Sequence, residues 1–212
     1  MARKIIFHFY RHGEKDEAGI LTDEGKKHAS RVGKELAEDL LKEGKITVKC
    51  IATTVPRAIE TRDNIENAIK ESRNPDIELV KSKIMRRMGE GGAPRDKKHP
   101  WWIEAQKPGT DIIEFWLKKD EPDAIESPTE AATKLNVLLK LIDRVSRRLE
   151  AGKPVHYVFV GHADVAALIK HISGQTPAEL GATFGYCSKV KFEFEDGKIW
   201  MDFNGKKFEV KT

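Results

Sequence analysis

The chain has 212 residues, 34% charged and 39% hydrophobic, with 38 Lys and Arg against 34 Asp and Glu for a formal net charge of +4. This composition excludes a disordered or collagen-like chain, and so mild a positive bias does not by itself imply nucleic acid; it suits an anionic small substrate. No apolar run reaches membrane-spanning length, the charged "MARK" start leads into a strand rather than a cleavable signal, and Cys50 and Cys187 form neither a disulfide framework nor a metal-ligand spacing.

These features predict a cytoplasmic protein with reduced, structural thiols and no nucleic-acid or membrane partner. In chain order, residues 3–10 read as a buried strand that stops at Arg11-His12-Gly13. In "LTDEGKKHASRVGKELAEDLLKEG", Ala29, Val32, Leu36 and Leu40 recur at helical spacing, with Thr22 as N-cap and Gly44 closing the segment. "ITVKCIA" (46–52) is a second strand. A helix restarts near Pro56 with Thr53 or Thr54 at its cap, and "IELV" (77–80) is a third strand.

Residues 81–108 show neither helical nor strand period, and "DIIEFWLKKD" reads as a short helix after them. "SPTE" opens a longer one. There Ser127 caps, Pro128 sits at the first position and Glu130 completes a capping box, while Leu135, Leu138, Leu139, Ile142, Val145 and Leu149 make the buried stripe. "VHYVFV" (155–160) is an apolar strand ending at Gly161-His162, followed by the helix "ADVAALIKHI". Over 187–211 the period changes to two around Asp196-Gly197 and Asn204-Gly205, as in a three-stranded antiparallel meander. We read residues 1–212 as one α/β domain: a three-layer α/β/α unit with a mostly parallel sheet plus the meander, with 81–127 forming a partial cover.

In such sheets ligands gather outside the carboxyl ends of the strands. Arg11 and His12 lie at the exit of strand one, Arg57 just past strand two and His162 at the exit of the fourth. Two guanidiniums converging on one point imply an oxyanion between them, bound at about 1.5–3 kcal/mol per charge-assisted bond. Arg57 in a helix's first turn adds the helix dipole, and Gly13 allows a close turn. Nearby cations lower a histidine's pKa, so His12 keeps a lone pair and is a candidate nucleophile, with His162 a donor to the phosphoryl oxygens.

Four pieces carry a family resemblance: "FYRHGEKD", "LTDEGKKHA", "TTVPRAIET" and "VFVGHADVAALI". Together, across about residues 3–170, they resemble the histidine phosphatase superfamily, the phosphoglycerate mutase-like proteins. The resemblance implies a phosphatase that hydrolyses a small phosphomonoester through a phosphohistidine on His12. Arg11, Arg57 and His162 complete the phosphate pocket, a carboxylic acid protonates the leaving oxygen, and neither a metal nor an organic cofactor is required.

The chain departs from the family pattern in three places. Gly161 and Ala163 flank the second histidine where the family usually has Ser and Gly. "EKDEAGILT" replaces the Ser-x-Trp-Asn segment of the mutases with a very short loop, which argues against a glycolytic mutase. The place of the usual proton-donating Glu, in "KSKIMRRMGEGG", holds Met85, Arg86 or Arg87; Glu90 is the nearest carboxylate, and Glu14 and Asp164 are the remaining candidates. The alternatives are mutase-type phosphoryl transfer, a phosphohistidine phosphatase acting on a signalling protein, and a degenerate binding module for a phosphorylated ligand. His8 and His12 make no zinc pair, His28, His99, His156 and His171 read as structural or exposed, and Trp101-Trp102 as a plug under the long loop. Substrate identity and oligomeric state are not encoded in any motif.

Overall fold

The computed structural model describes residues 4–85, 98–119, 126–146, 152–195 and 197–211. Glu90, Leu149 and Asp196 lie outside the described residues.

Among the described residues, seven strands form one sheet: β1 (Ile5–Arg11), β2 (Ile46–Thr53), β3 (Ile77–Met85), β4 (Val155–Gly161), β5 (Lys189–Glu195), β6 (Lys198–Phe203) and β7 (Lys206–Glu209), ordered β3-β2-β4-β1-β5-β6-β7. β1, β4, β2 and β3 run parallel, and β5, β6 and β7 add an antiparallel edge. The expected parallel sheet with a C-terminal meander is therefore present. The Asn204-Gly205 turn between β6 and β7 has φ of 51° and 72°, the left-handed pair that a two-residue hairpin needs.

Among the described residues six α-helices accompany the sheet: α1 (Asp23–Leu40), α2 (Pro56–Glu71), α3 (Pro100–Ala105), α4 (Ile112–Lys118), α5 (Pro128–Ser146) and α6 (Asp164–Ser173). Strand side chains alternate between two cores. Phe7, Phe9, Ile51 and Phe159 pack with Trp101, Trp116, Leu135 and Val165 from α3 to α6. Tyr10, Val48, Ala52 and Val160 pack with Ala29, Leu36 and Ile65 from α1 and α2. Apolar groups on both faces of β1 and β4 explain their near-continuous hydrophobic sequences.

The caps follow local chemistry. Thr22 accepts from Gly25 N at 3.0 Å, and Ser127 and Glu130 exchange the two bonds of a capping box at 2.9 and 3.1 Å. Leu135 and Leu139 are buried, and Leu138 and Ile142 pack against the same core. Two expectations are corrected. The cap of α2 is Val55, without a side-chain bond, because the Thr53 hydroxyl is engaged elsewhere. The 81–108 stretch is not irregular throughout: β3 runs on to Met85, and α3 begins at Pro100 with the His99 imidazole accepting from Trp101 N. Trp101 is buried, as a plug requires.

His156 is of the structural kind. It is fully buried, stacked on His8 with ring centroids 5.3 Å apart, bonded ring to ring at 3.0 Å, and 3.2 Å from the Glu43 carboxylate. Both cysteines are buried and free.

Candidate active site

The register of the parallel strands assembles the site. β1 pairs with β4 so that Arg11 opposes Gly161; His12 and His162 therefore emerge side by side although 150 residues separate them. His12 N donates to the Gly161 carbonyl at 2.9 Å, and the two imidazole centroids lie 5.3 Å apart, edge to face. On the other flank of β4, β2 ends at Thr53 and α2 starts at Pro56, which carries Arg57 in on the first turn.

A hydrogen-bond chain sets the state of His12. Its Nδ1 lies 2.8 Å from the Gly13 carbonyl oxygen, which only accepts, so Nδ1 carries the proton. Nε2 then holds the lone pair, and it accepts from Arg57 Nε at 3.0 Å. Burial, together with the charges of Arg57, His162 and Arg11, lowers the His12 pKa to about 3, against the opposing Gly13 bond. The ring is neutral across the physiological range.

Thr61, one helical turn after Arg57, ties these parts together: Gly13 N donates to its hydroxyl at 2.9 Å, and the hydroxyl donates to the Arg57 carbonyl at 2.7 Å. Thr53 Oγ1 lies 3.0 Å from His162 Nε2, so the end of β2 orients the second imidazole. Arg11, on the far side, donates from Nη1 to the Phe184 carbonyl at 2.9 Å, and its guanidinium carbon sits 4.6 Å over the Tyr186 ring. Burial and the like charge of Arg57 lower its pKa while Tyr186 and Asp111 raise it. Arg11, His12, Arg57 and His162, four of the six site residues named from sequence, thus converge on one sheet edge, Gly13 is held there by Thr61, and Glu90 lies outside the described residues.

Two glycines mark close approaches. A Cβ on Gly25 would stand 2.3 Å from the Glu14 carbonyl oxygen, so the start of α1 packs directly on the chain that follows His12. A Cβ on Gly161 would stand 2.7 Å from the Phe9 ring, which explains glycine where the family usually has serine.

The carboxylates sort by position. Glu14 is exposed and accepts from the Thr22 hydroxyl at 3.2 Å. Asp164, in the first turn of α6, is 8% exposed; burial pushes its carboxyl up to about 7, and Oδ1 has no hydrogen-bond partner among the described residues. Asp111 caps α4 and acts on Arg11 electrostatically. Among the described residues, no carboxylate touches the His12 ring and no three His, Cys, Asp or Glu side chains are grouped to hold a metal ion.

Sequence reasoning gave Thr53 only a candidate capping role and placed none on Thr61, Phe184 or Tyr186. Thr53 and Thr61 lie within the quoted "TTVPRAIET", so their proximity was readable though their bonds were not. Nothing local marks Phe184 and Tyr186, which reach the site only because β5 pairs with β1.

No protein-family model matches the chain, and no curated protein matches it. Solved structures do. Mycobacterial glucosyl-3-phosphoglycerate phosphatase is 19% identical over 91% of each chain, with a TM-score of 0.58. YhfR of Bacillus stearothermophilus is 19% identical over 95% of this chain and 97% of its own, with a TM-score of 0.58. A phosphoserine phosphatase mutant of Entamoeba histolytica, in complex with phosphoserine, is 18% identical over 93% and 94%, with a TM-score of 0.55. The likeness covers nearly the whole chain in each case, so this chain shares its fold with these solved structures.

Proposed function

We propose that the protein is a phosphatase that hydrolyses a small phosphomonoester through a phosphohistidine on His12, without a metal or cofactor. The observation that carries this reading is the His12 tautomer: Nδ1–H is committed to Gly13, so the lone pair on Nε2 faces the guanidinium of Arg57. The fold shared with structures of phosphatases supports it.

In this mechanism the phosphoryl oxygens take over the Arg57 N–H that Nε2 now accepts, with Arg11 and His162 as further donors. Nε2, so released, attacks phosphorus as the ester P–O bond breaks. The leaving oxygen takes a proton from a carboxylic acid, and water then attacks the phosphohistidine to give inorganic phosphate and the free imidazole. We assign the proton to Glu90, with Asp164 as the alternative: a carboxyl held at about 7 is half protonated near neutrality. We assign 81–127 as the cover; the effect of Asp111 on Arg11 supports that placement. The short connection from Gly13 to Thr22 favours hydrolysis over mutase exchange.

An alkaline denaturing quench after brief exposure to an aryl phosphate labelled in the phosphoryl group should retain a label on wild type that later acid treatment releases, and none on His12→Ala. Wild-type turnover with no such label overturns the mechanism, and failure of wild type to release phosphate leaves the binding module as the better reading.

A further inference from the structure

The loop between α6 and β5 stands against the nucleophile and has no part in the phosphatase reading. Its backbone is bolted to β1: Arg11 N donates to Ser188 O at 3.0 Å, Arg11 Nη1 to Phe184 O at 2.9 Å, and Cys187 N to His12 O at 3.3 Å. Cys187 is held at φ 55°, in the left-handed region that non-glycine residues avoid. This backbone course displays Tyr186 at the mouth of the pocket. Its ring lies beneath the Arg11 guanidinium, its centroid is 5.8 Å from that of His12 and tilted 43° to it, and 36% of the residue stays exposed.

A phosphoryl group seated for attack places phosphorus about 3–3.5 Å from Nε2, so its organic substituent falls within reach of this ring. Beside Arg57 the chain turns through Gly19, next in sequence to an exposed aliphatic residue. A Cβ on Gly19 would be 3.7 Å from Arg57 Nη1, and the next residue, Ile20, is 51% exposed. An aromatic face and an aliphatic side chain around a doubly cationic pocket match a substrate with a compact dianion at one end and a flat apolar group at the other.

Resting on the phosphatase reading, we propose that Tyr186 determines specificity, selecting aryl phosphates, in which the phosphoryl oxygen is borne on an aromatic ring, over aliphatic and polyol phosphates. The ring of Tyr186 stacks on the aryl group while Arg11, on its other side, holds the phosphoryl.

The test uses non-hydrolysable phosphonates as competitive inhibitors, which separates ring recognition from leaving-group chemistry. Wild type should bind phenylphosphonate about fivefold or more tightly than cyclohexylphosphonate. Tyr186→Leu should bring that ratio close to one, and Tyr186→Phe should keep it. A ratio near one in wild type, or one unchanged in Tyr186→Leu, overturns the proposal. So does an equal loss of both phosphonates in Tyr186→Leu, which would make Tyr186 a positioning residue for Arg11. Inorganic phosphate serves as a third inhibitor. If it competes and His12→Ala abolishes hydrolysis while the phosphonate ratio fails, the phosphatase reading survives and the aryl preference does not; if it does not compete in wild type, both fall.

Discussion

In the proposed mechanism the chemistry turns on His12, and the electrostatics of this ring make a prediction that an ordinary imidazole would not. With its pKa lowered to about 3, the ring remains a free base throughout mild acid. The labelled phosphoenzyme formed in a single turnover should therefore be as abundant at pH 5 as at pH 7, once the substrate's own second ionisation near pH 6 is allowed for. An ionisation of the free enzyme near 6.5 that abolishes phosphoenzyme formation would contradict the pocket. Arg57→Ala removes the donor at 3.0 Å from Nε2 and one of two guanidiniums. A charge-assisted bond worth about 1.5–3 kcal/mol corresponds to roughly 10- to 150-fold, so inhibition by inorganic phosphate should weaken by that factor. Lysine should restore only part of it, because an ammonium lacks the planar fork.

Among the elements, β4 and α5 show two different kinds of constraint. β4 ends in a glycine because Phe9 and Phe159 occupy the space beside it. Gly161→Ser should destabilise the protein by about 1–3 kcal/mol through overpacking, read as a lower urea midpoint. A neutral or stabilising result would mean that the two rings move aside freely. α5 depends on its cap: Ser127→Ala leaves Glu130 N without its acceptor and should cost about 1 kcal/mol by the same measurement. The capping box was legible in "SPTE" because it needs only residues three apart. The cap of α2 was not, because Thr53 faces a choice between Val55–Ala58 and a histidine more than 100 residues away, and the sheet decides for His162.

Across the whole molecule, the buried histidines set the acid stability. Burial lowers the pKa values of His8, His12 and His156 below 6.5, so the unfolded chain binds protons that the folded one refuses. Stability should fall as pH drops below about 6.5 and keep falling toward the lowered folded-state values. Asp164 works in the opposite sense: with its carboxyl raised from 3.8 to about 7, it contributes stability that declines as pH rises through that window. Three groups against one make the acid loss dominant. Thermal melts between pH 7 and 4.5 should show a falling midpoint, and Asp164→Asn should steepen it by removing the opposing contribution. A midpoint that is level or rises on acidification would contradict the burial of these imidazoles.

Local patterns in the chain determined the elements and where the candidate site residues fall on them. Periodicity, caps and the Asn204-Gly205 turn depend on neighbours a few positions apart, and Arg11, His12, Arg57 and His162 each stand where an apolar strand stops or a helix starts. Their convergence could be anticipated because ligand sites of parallel sheets lie at carboxyl ends. Only the tertiary structure decided which tautomer His12 adopts, that Thr53 and Thr61 bond around it, that His8 and His156 share a buried stack, and that Tyr186 stands beside His12. Each of these is a contact across strands whose pairing is set by the packing of the whole sheet, and no local pattern of residues records it.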